Sequence, residues 1–158
     1  MSRVADQVMP QRLSHRQSGF TLLEVLIAVL VLGVGMLGAA ALQISVMKNN
    51  QSSFQRTQAV MLSYFMLDAM RANRADAASE NYDLTKTCTV TAAGLVLVDN
   101  DKHFWLQALK DNLGNAATTC GEIDCAPGAT TCTVRIYWND ERGTGGSASQ
   151  MFETSTRL

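Results

Sequence analysis

The sequence predicts an α+β fold, with one long N-terminal helix packed on a small antiparallel sheet and a short second helix. Three observations carry this reading. Residues 20–42 are apolar except for Thr21 and Glu24, and residues 43–74 follow with neither Pro nor Gly. Within 101–113, Trp105, Leu109 and Leu113 recur every fourth residue ahead of Gly114, which suits a helix and its stop. Cys132–Trp138 alternates, with Cys132, Val134, Ile136 and Trp138 facing one way and Thr133, Arg135 and Tyr137 the other, as a half-buried strand does.

Taken in order, residues 1–19 form a polar leader, with Arg3, Arg12 and Arg16 against one acid, Asp6. The run 20–42 is long enough to cross a bilayer, which needs about 20 helical residues, and there is no charge between Val25 and Met47. Basic residues before the span and none just after it keep the N-terminus in the cytoplasm and export the rest. Residues 20–74 read as one helix of 55 residues, about 80 Å long at about 1.5 Å per residue. Its transmembrane part is 20–42 and its amphipathic part 43–74. Phe54, Met61, Leu62, Phe65, Ala69 and Ala72 form the stripe expected to carry the head, and Arg71 and Arg74 suit the C-terminal turn.

The exported head is residues 75–158. Residues 75–87 read as a loop. The segment 88–98 holds two β-rich runs, TCTV and LVLV, around Ala92-Ala93-Gly94, the pattern of a hairpin. Asn100 or Asp101 is placed to cap the second helix. Residues 115–131 read as a Cys-containing loop and 143–149 (GTGGSAS) as a flexible connection. Residues 150–157 return as an antiparallel partner for the alternating strand.

Composition narrows the function. A net charge of −1 argues against a nucleic-acid partner. Cys88, Cys120, Cys125 and Cys132 all lie beyond the apolar run, so an even set of exported cysteines points to disulfides in an oxidising compartment, the periplasm of a bacterium. Their spacing is not a usual zinc pattern and no His lies close by, so no metal is expected. Three connectivities exist. The two TCTV runs favour Cys88–Cys132 with Cys120–Cys125, as if both runs sat on adjacent strands. No HExxH, G-x-S-x-G or P-loop occurs, so the chain reads as no enzyme, with no cofactor and no small-molecule substrate. His103 reads as a surface or capping residue, and Trp105 and Trp138 as packing residues. Gly33, Gly35 and Gly38 spell G-x-G-x-x-G, but inside a membrane-length run and with no acid between Glu24 and Asp68, which excludes a dinucleotide fold. Gly35 and Ala39 instead form a small-xxx-small pair that permits close helix contact.

The segment Ser18-Gly19-Phe20-Thr21-Leu22-Leu23-Glu24-Val25 stands between the basic leader and the apolar run. It resembles the class III signal of type IV prepilins and pseudopilins. The resemblance implies a type IV pilin-like fold, cleavage by a prepilin peptidase between Gly19 and Phe20, and N-methylation of Phe20. It makes Glu24 the fifth residue of the mature chain. It also implies partial unwinding of 33–38 on assembly. Independently of any family, a charge within an apolar helix is costly near the bilayer centre, about 2.5–3.5 kcal/mol on insertion scales. Glu24 is therefore either an interfacial acid or the partner of a positive amine on Phe20, of its own or a neighbouring subunit, in the apolar centre of a filament.

Further likenesses extend into the head. Leu67-Asp68-Ala69-Met70-Arg71-Ala72-Asn73-Arg74, Trp105-x-x-Ala108-Leu109, the run from Val134 to Gly143 and the terminal Thr154-x-Thr156-Arg157-Leu158 resemble the PilV family of minor pilins, the type IV pilus modification proteins. That resemblance implies a non-catalytic subunit that primes pilus assembly near the tip. Its implied partners are other minor pilins, the major pilin, the prepilin peptidase, the inner-membrane assembly platform and, before assembly, inner-membrane lipid. Its implied location is the inner membrane, single-pass, and then the pilus. Two alternatives stay open here. One is a minor pseudopilin of a type II secretion system. The other is a secreted periplasmic protein whose ordinary signal peptide uses 25–37 as its apolar core, is cut at Ala39-Ala40-Ala41, and leaves a mature start at Leu42.

Overall fold

A computed structural model describes residues 19–129, 131–143 and 145–158. The expected leader, with Arg3, Asp6, Arg12 and Arg16, lies outside the described residues except for Gly19. The chain forms two compact units that meet at Ala40 and Ala41, and each is described by itself.

The first unit is the opening of helix α1, Leu22–Ala72. Every described side chain in it is exposed. Gly33, Gly35 and Gly38 are helical, as intrahelical hydrogen bonding allows even at poor propensity.

The second unit holds the rest of α1, a short helix α2 (Arg74–Ala78), β1 (Leu84–Thr87), α3 (Leu97–Leu113), β2 (Cys120–Cys125), a 3₁₀ turn at Pro127–Ala129, β3 (Cys132–Trp138) and β4 (Gln150–Thr156). The strands form one antiparallel sheet in the order β1-β2-β3-β4. The long helix, the sheet and the second helix are thus the α+β arrangement the sequence predicts. β3 alternates as expected, its four inward residues Cys132, Val134, Ile136 and Trp138 being buried. β4 is its partner along seven consecutive pairs, from Cys132 opposite Thr156 to Trp138 opposite Gln150.

Several expectations change. The buried face of α1 is Ala59, Ser63, Met66, Leu67 and Met70, with Leu62 and Ala69 at its margin. Phe54, Met61 and Phe65, expected to carry the head, are more than half exposed. The smaller side chains win because the indole of Trp105 comes down onto the helix backbone and donates from Nε1 to the Leu62 carbonyl at 3.0 Å. Ala59 and Ser63 on that face leave room for such an approach.

No hairpin forms over 88–98. Leu97 and Val98 instead open α3, where Val98 joins the core. Asn100 is no N-cap; Val96 holds that position. Asn100 reaches back from inside the helix and donates from Nδ2 to the carbonyls of Gly94 (3.0 Å) and Val96 (3.2 Å). Asp99 packs so closely on Gly94 that a Cβ there would meet its side chain at 2.4 Å. Gly114 ends the helix with φ 106°.

The expected loop 115–131 contains β2, a central strand. Its inward positions are Gly121, Ile123 and Cys125, opposite Ile136, Val134 and Cys132. Gly121 breaks the hydrophobic alternation for a packing reason: a Cβ there would lie 2.4 Å from the Trp105 ring. Trp105 on α3 therefore touches both the sheet and α1, which places it at the centre of the head.

The disulfides are Cys88–Cys120 and Cys125–Cys132, not Cys88–Cys132 and Cys120–Cys125. The strand order explains the correction. Cys120 and Cys125 are the two ends of one extended strand, roughly 17 Å apart at about 3.4 Å per residue. Disulfides join Cα atoms less than about 7 Å apart. β2 also lies between β1 and β3, so Cys88 adjoins Cys120, while Cys125 and Cys132 face each other in register.

Candidate functional site

The residues the sequence singles out for processing and assembly lie at the start of α1. Gly19, Phe20 and Thr21 precede the helix. Thr21 starts it: its Oγ1 accepts from the Glu24 backbone N–H at 3.2 Å, and its carbonyl accepts from the Val25 N–H at 3.3 Å. Thr21-Leu22-Leu23-Glu24 has the T-x-x-E spacing of a capping box, in which a threonine at the N-cap satisfies the N–H of the third helical residue. The cap lies inside the segment that carries the processing and assembly candidates, and its T-x-x-E spacing is overlaid by theirs.

The cap fixes where the helix begins, two residues after Phe20. It leaves the Gly19–Phe20 peptide bond outside the helical hydrogen-bond ladder. The spacing of four residues then puts Phe20 and Glu24 on one side, where with Val25, Ala28, Val29 and Leu32 they line one shallow, largely apolar cleft. Phe20 is 83% exposed and Glu24 is exposed. Glu24 is the one acid in the first turn, a position that also favours a negative charge because the first N–H groups of a helix are unpaired. Its carboxylate stands at the head of a helix long and apolar enough to cross a membrane. Chemically, the arrangement leaves the Gly19–Phe20 peptide bond outside the helix and sets an acid on an apolar surface with no covering from the chain's own described residues.

The other singled-out residues are elsewhere and serve the head. Cys88, Cys120, Cys125 and Cys132 are all in disulfides. His103 is half-buried, its Nδ1 2.5 Å from the Thr91 carbonyl, so it ties α3 to the irregular segment before it. Trp105 and Trp138 are buried in the core.

Further polar ties hold the head together. Asp140, just past β3 and 1% exposed, accepts through Oδ2 from Ser52 Oγ (2.7 Å) and from Arg56 (3.3 Å), both on α1. The buried Tyr82 hydroxyl donates to Asp101 at 2.6 Å; burial first, and that bond second, push its pKa up to about 12. On the outer face of the sheet, Tyr137 donates to Glu122 (2.8 Å) and Arg135 pairs with it (2.7 Å). The Tyr137 bond is the largest of the influences that hold the Glu122 carboxyl below its usual range.

Comparison with curated proteins and with solved structures returned no match. The prokaryotic N-terminal methylation motif matches residues 14–40, a stretch that includes Gly19, Phe20 and Glu24. It covers 27 of the 158 residues, counted from 14 through 40. With the apolar opening of α1 and the sheet-bearing head, this motif supports a type IV pilin-like, membrane-anchored protein.

Proposed function

We propose that the chain is a minor pilin of the PilV kind, a non-catalytic subunit that joins other minor pilins to prime a type IV pilus and stays near its tip. The single observation that carries this reading is the methylation motif placed on an uncovered apolar helix, with Phe20 and Glu24 on one face. A prepilin peptidase cuts between Gly19 and Phe20 and methylates the new amine. The mature chain waits in the inner membrane with its head in the periplasm. On entry into the filament, the Glu24 carboxylate meets the Phe20 amine of a neighbouring subunit. A carboxylate without that partner is disfavoured in an apolar filament centre, so the pair selects the subunit that has docked at the correct axial offset. The exposed Phe54, Met61 and Phe65 on the head's part of α1 fit a subunit surface better than a solitary one.

Intact mass of the membrane-extracted protein tests processing. The expected chain starts at Phe20 and carries one extra methyl; a start at Leu42 ends the proposal. Assembly is tested by comparing sheared pili with membranes. Glu24→Ala should be cleaved and inserted but fail to enter pili, since removing one partner of a buried pair costs about 3–5 kcal/mol. Glu24→Gln keeps a capping-box residue and loses the charge. If it fails like Glu24→Ala, the charge matters; if both enter pili at wild-type levels, Glu24 is only an interfacial acid. A protein absent from pili and co-purifying with pseudopilins would be a type II secretion subunit instead.

A further inference from the structure

The two edges of the sheet are built differently. β1 is four residues long, is interrupted by a bulge between Leu84 and Thr87, carries Lys86 and runs into the Cys88–Cys120 disulfide. Short length, bulges and lysines are the devices by which natural edge strands refuse further pairing. β4 has none of them. Its seven residues, Gln150–Thr156, pair with β3 without a break and include no Pro, Lys or Arg. Its other side has no strand partner among the described residues.

The outer face gives this edge a chemical preference. Glu122, Arg135 and Glu153 stand in register across β2, β3 and β4, with Arg135 bonded to both acids. The row alternates negative, positive, negative, and ends on Glu153, whose side chain is 45% exposed at the open edge. The neighbouring row ends in a hydroxyl pair, Thr133 with Ser155 at 2.7 Å. The inner face is also unfinished. The inward residues of β3 are fully covered, whereas Phe152, Thr154 and Thr156 beside them are only half-buried.

We propose that the β4 edge accepts an extended segment of another polypeptide as a fifth strand, with a Lys or Arg opposite Glu153 and apolar side chains on the inner face beside Phe152. Main-chain hydrogen bonds supply the attachment and the cation continues the alternating row. A second copy of this chain fits poorly. Pairing β4 with β4 antiparallel about its centre sets Glu153 against Glu153; Arg157 comes opposite Glu153 only when the pairing is centred on Ser155, which leaves just Thr154 to Thr156 of the two strands paired with each other. This docking site does not depend on whether the chain enters a filament.

The test uses the full chain in detergent and three labelled nine-residue peptides that alternate threonine and valine, with lysine, glutamate or proline at the centre. Fluorescence anisotropy reads binding, and amide exchange locates it. The lysine peptide should bind about five- to tenfold tighter than the glutamate peptide, given one favourable against one unfavourable cross-strand pair. The proline peptide should not bind. Exchange should slow within Gln150–Thr156. Glu153→Gln should bring the lysine-to-glutamate ratio close to one while binding persists. No binding by the lysine peptide, no preference for lysine, or protection elsewhere would overturn the proposal. Concentration-dependent slowing of the same amides without peptide would assign the edge to a second copy and overturn it too.

Discussion

The opening of α1 and the head solve opposite problems. From Gly19 to Gln51 every side chain is exposed, and most of them up to Met47 are apolar. In the head, Trp105, Trp138, Tyr82, Met66, Leu67 and Met70 are fully covered by the chain itself. A soluble protein buries large apolar surfaces of its own; a stretch that leaves them open requires lipid or another protein to cover them. The head is therefore stable by internal contacts, and the opening of α1 by its surroundings. Glu24 is the acid in the second class, and its effect should be felt only where those surroundings are supplied.

The largest effect expected inside the head is loss of Cys88–Cys120, which closes a separation of 32 residues. On the chain-entropy model this is worth about 4 kcal/mol, whereas closing the separation of 7 between Cys125 and Cys132 is worth about 2.5 kcal/mol. Cys88→Ser with Cys120→Ser should lower the urea midpoint, read by Trp105 and Trp138 fluorescence, more than Cys125→Ser with Cys132→Ser does. Both are expected to leave the membrane extraction of the chain unchanged. If the short loop mattered more, strain or packing of the cysteines would outweigh chain entropy.

A smaller effect is expected at Tyr82. Its hydroxyl is buried and bonded to Asp101, and a hydrogen bond to a charged group contributes about 1.5–3 kcal/mol. Its folded pKa, about 12, lies above the ordinary value of 10.0. Folding therefore favours the protonated phenol. That stabilisation is complete below pH 10.0 and is lost as the pH rises through about 12. Tyr82→Phe should lower the midpoint at neutral pH and flatten the decline above pH 10, measured by urea unfolding at fixed pH. An unchanged alkaline decline would move its cause to another group, Tyr137 being the next candidate because burial also raises it.

What the sequence shows of the two regions follows the same division. The helix was legible because 43–74 contains nothing that stops one, and β3 because strict alternation has no other reading. The phase of the buried stripe was not legible, because α1 is apolar on two faces. Phe54, Met61 and Phe65 outweigh Ala59 and Ser63 in hydrophobicity, yet the core selects the small side chains that admit Trp105. β2 was hidden for the same reason: Gly121 lies inward under Trp105 and reads as a turn residue. With β2 missing, the two TCTV runs are set on adjacent strands, and the Cys88–Cys132 and Cys120–Cys125 pairing follows from that; β2 in fact lies between β1 and β3. At the helix start, Gly19, Phe20 and Glu24 are local in sequence and fall within one matched motif, while the cap formed by Thr21 is concealed inside the same segment.

The smallest effect separates the two regions most cleanly. Leu30 is 61% exposed, whereas Leu106 on α3 is 2% exposed and part of the core. Leu106→Ala removes buried methyl groups and leaves a cavity, at about 2–5 kcal/mol. Leu30→Ala removes a similar side chain from a surface that the chain does not cover, and alanine is the better helix former. In detergent the unfolding free energy of the head, read from its urea midpoint, should therefore change by less than about 0.5 kcal/mol. The same substitution removes apolar area that lipid or a neighbouring subunit would cover, so any loss should appear in membrane extraction or pilus entry. A shift of the head's midpoint comparable to that of Leu106→Ala would mean that the opening of α1 contributes to the core after all. No shift in any of these measurements would mean that position 30 faces neither environment.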